Sequence, residues 1–401
     1  MPSLRFAIVL AMAAALGPFA IDTYLPAFPS ITQAMHASID EIGLSVSLYV
    51  LGLAMGQLIG GSLSDRYGRA KVMLAGLVLF SLASLLLAFS HTLAELLVLR
   101  FIQALGGGCC SVNIPAVVRD HTEGREAAKL FSLIGLIMII APAIAPSIGT
   151  LILAVFHWPG IFVFLVLYSL LVMLLLKRYV FSLPVPQRLM TAKKMPLLTS
   201  YHSVLKNGAA VCLILIQAFA FGVLLIFLTN ASFIYQEWFT VPNVAFALLF
   251  TCNVAVMGLL GFSNRLLLSR LEPIVLLVCG VTLQALAVAA LILIAFFHLG
   301  LLFFVPALMI AIGAVGMIAP NNQACFMQFF PHNSGAAAAL MGALQLTLSS
   351  CMSALSAFVA NGSLLNVILI MGLCAVGCVL LVWRAFCLIR AKAIVEAETA
   401  K

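Results

Sequence analysis

Two charged residues stand where charge is costly. Asp22 lies near the far end of an apolar run that begins around residue 6, and Arg100 sits inside another, in Leu99-Arg100-Phe101-Ile102-Gln103. A helical rise of about 1.5 Å per residue places Arg100 about 10 Å inside the edge of its run. An ionised side chain at that depth costs at least a few kcal/mol unless it is paired or hydrated. Proton transfer is the chemistry that suits such a pair. Burial disfavours the charged carboxylate and a nearby cation favours it, so moving one relative to the other loads and releases a proton. Asp22 is the proton-site candidate because Asp40, Glu41, Glu95, Asp120 and Glu272 fall near the ends of apolar runs. Two other readings stay open: Asp22 as a helix-end acid with no coupling duty, and Arg100 snorkelling outward.

Other chemistries lack the residues to carry them. An enzyme would need a nucleophile with a base, or metal ligands, deep in adjacent helices. His36, His91, His157, His202, His298 and His332 fall in loops or at run ends, and His121 in a loop. The ten cysteines form no Cys-x-x-Cys or Cys/His cluster, and Cys374 and Cys378 share a helix face without His or carboxylate company. They read as small packing residues. No catalytic residue, cofactor or metal is therefore expected, and no repeated filter-like segment points to a channel.

Lipid must be the solvent of the elements that position these residues. The 401 residues are 64% apolar and 8% charged, with a mean hydropathy of +1.23. A span takes about 20 apolar residues. Hydropathy predicts twelve, near 6–27, 41–63, 70–90, 94–118, 129–155, 158–177, 207–233, 244–263, 273–297, 300–325, 335–359 and 364–386. With a cytoplasmic N-terminus, Lys and Arg collect in cytoplasmic segments and none in external loops, which leaves Arg100 as the one base of twenty inside a span. That asymmetry puts both termini in the cytoplasm of a cell with an inner membrane. The net charge of +8 thus reports topology and contact with anionic lipid, and no nucleic-acid partner is expected. Arg5 with Ala13-Ala14-Ala15 imitates a cleavable signal, but cleavage would remove the first span and spoil the asymmetry.

The basic, proline-bearing stretch from Lys177 to Asn207 separates six spans from six. The expected organisation is an N-terminal half over 1–178, a cytoplasmic linker over 179–206 and a C-terminal half over 207–401, rocking about a midplane site. Polar and aromatic candidates for that site are Tyr24, Tyr49, Asn113, Gln217, Asn230, Asn253, Gln284, Asn321, Asn322 and Gln345, with Phe219, Phe233 and Phe326 nearby. Ordinary helix-to-helix hydrogen bonds explain any one of them; together they favour a neutral or amphiphilic small molecule over a strongly charged nutrient. Tyr24, Tyr49, Asn113, Asn230, Phe233, Asn253, Asn321 and Gln345 are the preferred substrate contacts.

Several motifs add a resemblance. The turn Gly61-Ser62-Leu63-Ser64-Asp65-Arg66-Tyr67-Gly68-Arg69-Ala70-Lys71 resembles the signature loop of the major facilitator superfamily. There Gly68 allows the reversal, Arg66 and Arg69 hold the loop at the surface, and the resemblance implies that Asp65 gates rather than binds substrate. The corresponding turn of the second half, Asn264-Arg265 through Arg270 and Glu272, is degenerate. Arg100 and Gln103 resemble the superfamily's Arg-x-x-Gln-Gly motif, linked to proton transfer, with Ala104 in place of the glycine. Ala141-Pro142-Ala143-Ile144-Ala145-Pro146-Ser147-Ile148-Gly149 resembles the antiporter motif of drug exporters, where Pro142 and Pro146 would let the fifth span bend. Ile21-Asp22-Thr23-Tyr24-Leu25-Pro26-Ala27-Phe28-Pro29, with Arg119-Asp120 and Pro320-Asn321, resembles the bicyclomycin/chloramphenicol-resistance (Bcr/CflA) branch of drug:proton antiporters. Some relatives carry a further acid two turns before Asp22, where this chain has Ala14. The resemblance implies an all-α fold of twelve transmembrane helices in two six-helix halves, acting as a monomer that expels a small molecule in exchange for protons. Uptake of a natural metabolite such as a nucleoside or siderophore is the alternative on the same scaffold.

Overall fold

The computed structural model describes residues 4–122, 124–182, 202, 204–330 and 334–399, and within these the side chains of Asp65 and Arg119 are among those not described. Most of the expected linker, 183–201 and 203, also lies outside the described residues. Every described element is helical. In order they are α1 (Leu4–Asp22), α2 (Phe28–Met35), α3 (Ile39–Tyr67), α4 (Arg69–Leu87), α5 (Leu93–Ser111), α6 (Ile114–His121), α7 (Gly124–Phe156) and α8 (Pro159–Tyr179). Then follow α9 (Gly208–Ser232), a π-helical turn (Phe233–Trp238), α10 (Asn243–Leu267), α11 (Pro273–Phe296), α12 (Leu301–Gly313), α13 (Val315–Met327), α14 (Ser334–Ala360) and α15 (Leu364–Thr399). Among the described residues eleven stretches are long and apolar enough to cross a membrane, and the shorter apolar run Ile140–Phe156 of α7 occupies the fifth position of the expected twelve.

Three membrane-crossing stretches are each built from two helices rather than one, and the first runs past its expected end at 27 to Met35. The first breaks after Asp22, where a 3-10 turn over Leu25–Ala27 carries Pro26 and α2 starts with Pro29 in its first turn. The fourth breaks at Val112 and Asn113, just before Pro115, and the tenth at Ala314. Proline supplies no N–H and its ring crowds the preceding turn, so the freed carbonyls need other donors. Side chains serve locally: the Thr23 hydroxyl donates to the Phe19 carbonyl at 2.6 Å, and Asn113 Nδ2 donates to the Cys109 carbonyl at 2.8 Å. Pro142 and Pro146 lie inside the continuous helix α7, where the Thr150 hydroxyl donates to the Pro146 carbonyl at 2.9 Å.

Backbone contacts divide the chain into two compact units. The first holds Met1–Lys193 and Thr229–Thr251, and the second holds Lys194–Leu228 and Cys252–Lys401. In the first unit α5 is the central helix, packed on α3, α4 and α1. Gly52, Gly56 and Gly60 line one face of α3 at four-residue spacing, against Phe101, Leu105 and Cys109 of α5. A Cβ at Gly52 would stand 2.5 Å from the Phe101 carbonyl oxygen, so only glycine permits this approach. Small faces of this kind drive association in lipid, where apolar burial contributes little. Thr229–Thr251 joins this unit through polar contacts: the Ser232 hydroxyl donates to the Leu25 carbonyl at 2.6 Å, and the Thr251 hydroxyl to the Ala143 carbonyl at 2.7 Å. In the second unit α11 is central, packed on α12, α13 and α15.

Candidate functional site

The break after α1 brings Tyr24 off the helix axis and over α5. Arg100 is completely buried, with its guanidinium carbon 4.6 Å from the centroid of the Tyr24 ring and 4.4 Å from that of Tyr49 on α3. Two aromatic rings thus lie against the cation, an attraction worth about 2 kcal/mol or more per ring when water is excluded. Nη1 donates to the Ala20 carbonyl at 3.0 Å and to Gln103 Oε1 at 2.7 Å. Gln103 stands three residues on, on the same face of α5. Its Nε2 donates to the Ser84 hydroxyl of α4 at 2.7 Å, and that hydroxyl donates to the Phe80 carbonyl at 2.7 Å. Arg100 is therefore fixed from α1, α3, α4 and α5 at once, which removes the outward-snorkelling reading.

The opposite edge of the guanidinium is open. Nε and Nη2 find no acceptor among the described residues, nor does the Tyr49 hydroxyl find a partner. Asp22 is 4% exposed and makes no ion pair with Arg100 within 4.0 Å. The buried carboxylate and the buried guanidinium share a neighbourhood without touching, since the Ala20 carbonyl that Arg100 reaches stands two residues before Asp22 on α1. Tyr24 is held separately, accepting a hydrogen bond from the Ser45 hydroxyl at 3.2 Å and meeting the rings of Phe28 at 4.9 Å and Phe162 at 5.5 Å.

In the loop expected to gate, Gly68 joins α3 to α4 with φ +94°, a conformation that favours glycine. Arg69 pairs with Asp120 at 3.5 Å and donates to the Ser64 hydroxyl at 3.3 Å. Arg66 is exposed, 5.3 Å over the Tyr67 ring. The side chain of Asp65, the expected gate, lies outside the described residues.

The expected substrate contacts are divided between the two units. Tyr24 and Tyr49 pack on Arg100, and Asn113 satisfies the helix break. Asn230 and Phe233 are buried in the first unit, with the Phe233 ring 6.3 Å from that of Trp238. In the second unit Asn253 is buried and Gln345 half-buried. Asn321 donates to Asn264 Oδ1 at 2.6 Å and to the Met317 carbonyl at 2.8 Å. Asn322 donates to the Leu213 carbonyl at 2.9 Å and to Gln217 Oε1 at 3.0 Å, while Gln284 donates to the Ala311 carbonyl at 3.1 Å. Sequence reasoning missed Ser84, Ser45 and Asn264; no spacing marks a lone serine, but Asn264 sits in the second-half turn whose degenerate motif gave no reason to stop at it. A groove of about 350 Å³ between α11 and α15, lined by Val278, Val281, Thr282, Val379, Val382 and Trp383, includes none of the candidates.

Residues 10–354 match the profile of the Major Facilitator Superfamily. This chain belongs to that superfamily. A multidrug resistance protein, MdtL of Escherichia coli O127:H6, is 30% identical over 94% of the chain and 93% of its own length. A bicyclomycin resistance protein homolog of Haemophilus influenzae is 29% identical over 92% and 93%. The crystal structure of a D-xylose-proton symporter superposes with a TM-score of 0.78 at 18% identity, covering 95% of this chain and 98% of that one. The chain is thus a multi-pass membrane protein with the major facilitator fold and a transporter of small molecules, not an enzyme. The resemblance to the Bcr/CflA branch agrees with the bicyclomycin-resistance relative.

Proposed function

We propose that this transporter expels a small, largely neutral or amphiphilic compound, of the chloramphenicol or bicyclomycin type, across the inner membrane in exchange for protons. The observation that carries the reading is the pairing of Asp22 and Arg100 in one neighbourhood: among the described residues they are the two buried charged side chains, and both are in the first unit. Relatives named for multidrug and bicyclomycin resistance support the exporter class. Asp22 takes up and releases the proton as its relation to Arg100 changes, with Gln103 orienting the guanidinium. The two six-helix halves alternate access, the loop around Asp65, Arg66, Gly68 and Arg69 gates them, and the bend at Pro142 and Pro146 follows the movement. The bias of Lys and Arg supports cytoplasmic termini, and a single chain suffices.

The energetics suffice for export. One charge crossing roughly 100 mV releases about 2.3 kcal/mol, and each tenfold concentration step costs about 1.4 kcal/mol, so one proton sustains a gradient of order fiftyfold. The test combines two arms. A growth screen of an exporter-deficient host expressing this chain against a compound panel identifies a substrate by raised tolerance. Oriented vesicles with an imposed proton gradient then fix the direction. Extrusion that runs with proton entry supports the reading; accumulation driven by proton entry in the same direction, with no tolerance to any compound, replaces it with metabolite uptake.

A further inference from the structure

The two tyrosines expected at the substrate both lie against a buried cation. We propose that Tyr24 and Tyr49 are positioning residues for proton coupling, holding the Arg100 guanidinium against their rings so that its Nε and Nη2 edge stays free for the Asp22 carboxylate. The inference rests on the reading of Asp22 as the proton site.

The geometry restricts how anything reaches this arginine. Two rings lie against the guanidinium, with their centroids 4.6 Å (Tyr24) and 4.4 Å (Tyr49) from its carbon. One edge is engaged by the Ala20 carbonyl and Gln103 Oε1. The remaining edge presents two parallel N–H donors, the fork that matches a carboxylate bidentately. A completely buried cation with that edge unfilled is held by its surroundings, not by an anion. The ring faces supply the holding. They let Arg100 remain charged while Asp22 is apart from it, which a carboxylate that must bind and lose a proton requires; a permanent ion pair would lock Asp22 in its charged form.

Among the described residues no other charged side chain is buried. Of the helices packed on α5, α1 contributes Asp22, α3 contributes Tyr49 and α4 contributes Ser84 through Gln103; Tyr24 follows from the turn after α1. The remaining charged residues of α3 and α4, Asp40, Glu41, Asp65, Arg66, Arg69 and Lys71, stand in their end turns. Tyr49 is the sharper probe because its hydroxyl has no partner among the described residues, so Tyr49→Phe removes that group alone and Tyr49→Leu removes the ring face.

The experiment follows protons directly and needs no known substrate. In purified protein, the infrared carbonyl band of a protonated carboxylic acid is titrated against pH and assigned by its loss in Asp22→Asn. Tyr49→Phe should keep the wild-type midpoint. Tyr49→Leu and Tyr24→Leu should free Arg100 to close on Asp22 and move the midpoint at least about one pH unit to the acid side, a tenfold loss of proton affinity. Ring fluorination at position 49, which keeps the volume while draining negative potential from the face, should move it in steps with the number of fluorines. That series covers the case in which a leucine variant fails to fold. A midpoint unmoved by leucine or by fluorine overturns the proposal, as does a wild-type protein with no Asp22 band at any pH. An exporter whose tyrosine variants titrate normally would fail this inference alone; a protein whose Asp22 titrates as described but moves no compound would fail only the export reading.

Discussion

The two units solve the problem of buried polarity in opposite ways. The first buries a full charge of each sign, Asp22 and Arg100, and surrounds the cation with ring faces, a carbonyl and an amide. The second buries only neutral groups among its described residues, and joins them amide to amide and amide to backbone: Asn321 with Asn264, Asn322 with Gln217, Gln284 with Ala311. Amides cross-link helices in lipid for roughly 0.6 kcal/mol each and do not titrate. A buried charge costs several times more and earns its place only by changing state. If the proposed coupling holds, the difference assigns proton work to the first unit and leaves the second as a neutral framework.

Substitutions can break that division, and the largest effect should come from its centre. Asp22→Asn should abolish proton-driven export while the protein stays in the membrane; vesicles that still build a concentration gradient at the wild-type rate would remove Asp22 from the mechanism. Arg100→Lys should follow closely, with at least a tenfold fall in coupled flux, because an ammonium offers neither the planar group that lies against two rings nor the bidentate edge. Uncoupled exchange down a gradient, measured in the same vesicles, should survive both changes.

Packing comes next. Gly56→Val would drive a side chain into the Leu105 backbone of α5, and overpacking of this kind costs about 1–3 kcal/mol. Lower thermal stability of the purified protein is the expected readout, with the pH profile of surviving transport unchanged. In the second unit, Asn322→Leu should cost about 0.6 to 1.7 kcal/mol by leaving Gln217 Oε1 and the Leu213 carbonyl without this donor. Its pH profile should superpose on wild type; a displaced profile would carry proton work into the second half and end the comparison. Smallest of all, Asp120→Asn should weaken the partly exposed pair with Arg69 by less than about 1 kcal/mol, seen as a change in gating rate rather than in the gradient reached.

Much of this was legible in the residues because lipid imposes simple rules. A span needs about 20 apolar residues and a base near its end reports the side. Hence the span positions, the odd placement of Arg100 and the loop around Gly68 could be read along the chain. The helix breaks were only half legible. Pro26 and Pro115 flag two of them, whereas the break at Ala314 has prolines only at 306 and 320 and depends on how α12 and α13 pack on α11. Ser84 was invisible because a serine in a span reads as any small residue until its hydroxyl is found under Gln103.

The fate of Tyr24 and Tyr49 marks the boundary most clearly. Sequence by itself determined that the chain lives in lipid and sets one acid and one base within its apolar runs, and its motifs resemble those of the facilitators. The first two follow from transfer free energies and chain-local spacing, which are properties of residues taken in order. Only the tertiary structure decided that two aromatic residues 25 positions apart meet over a guanidinium 51 positions beyond the second. A cation–π contact depends on distance and face, and those exist only once three helices have packed.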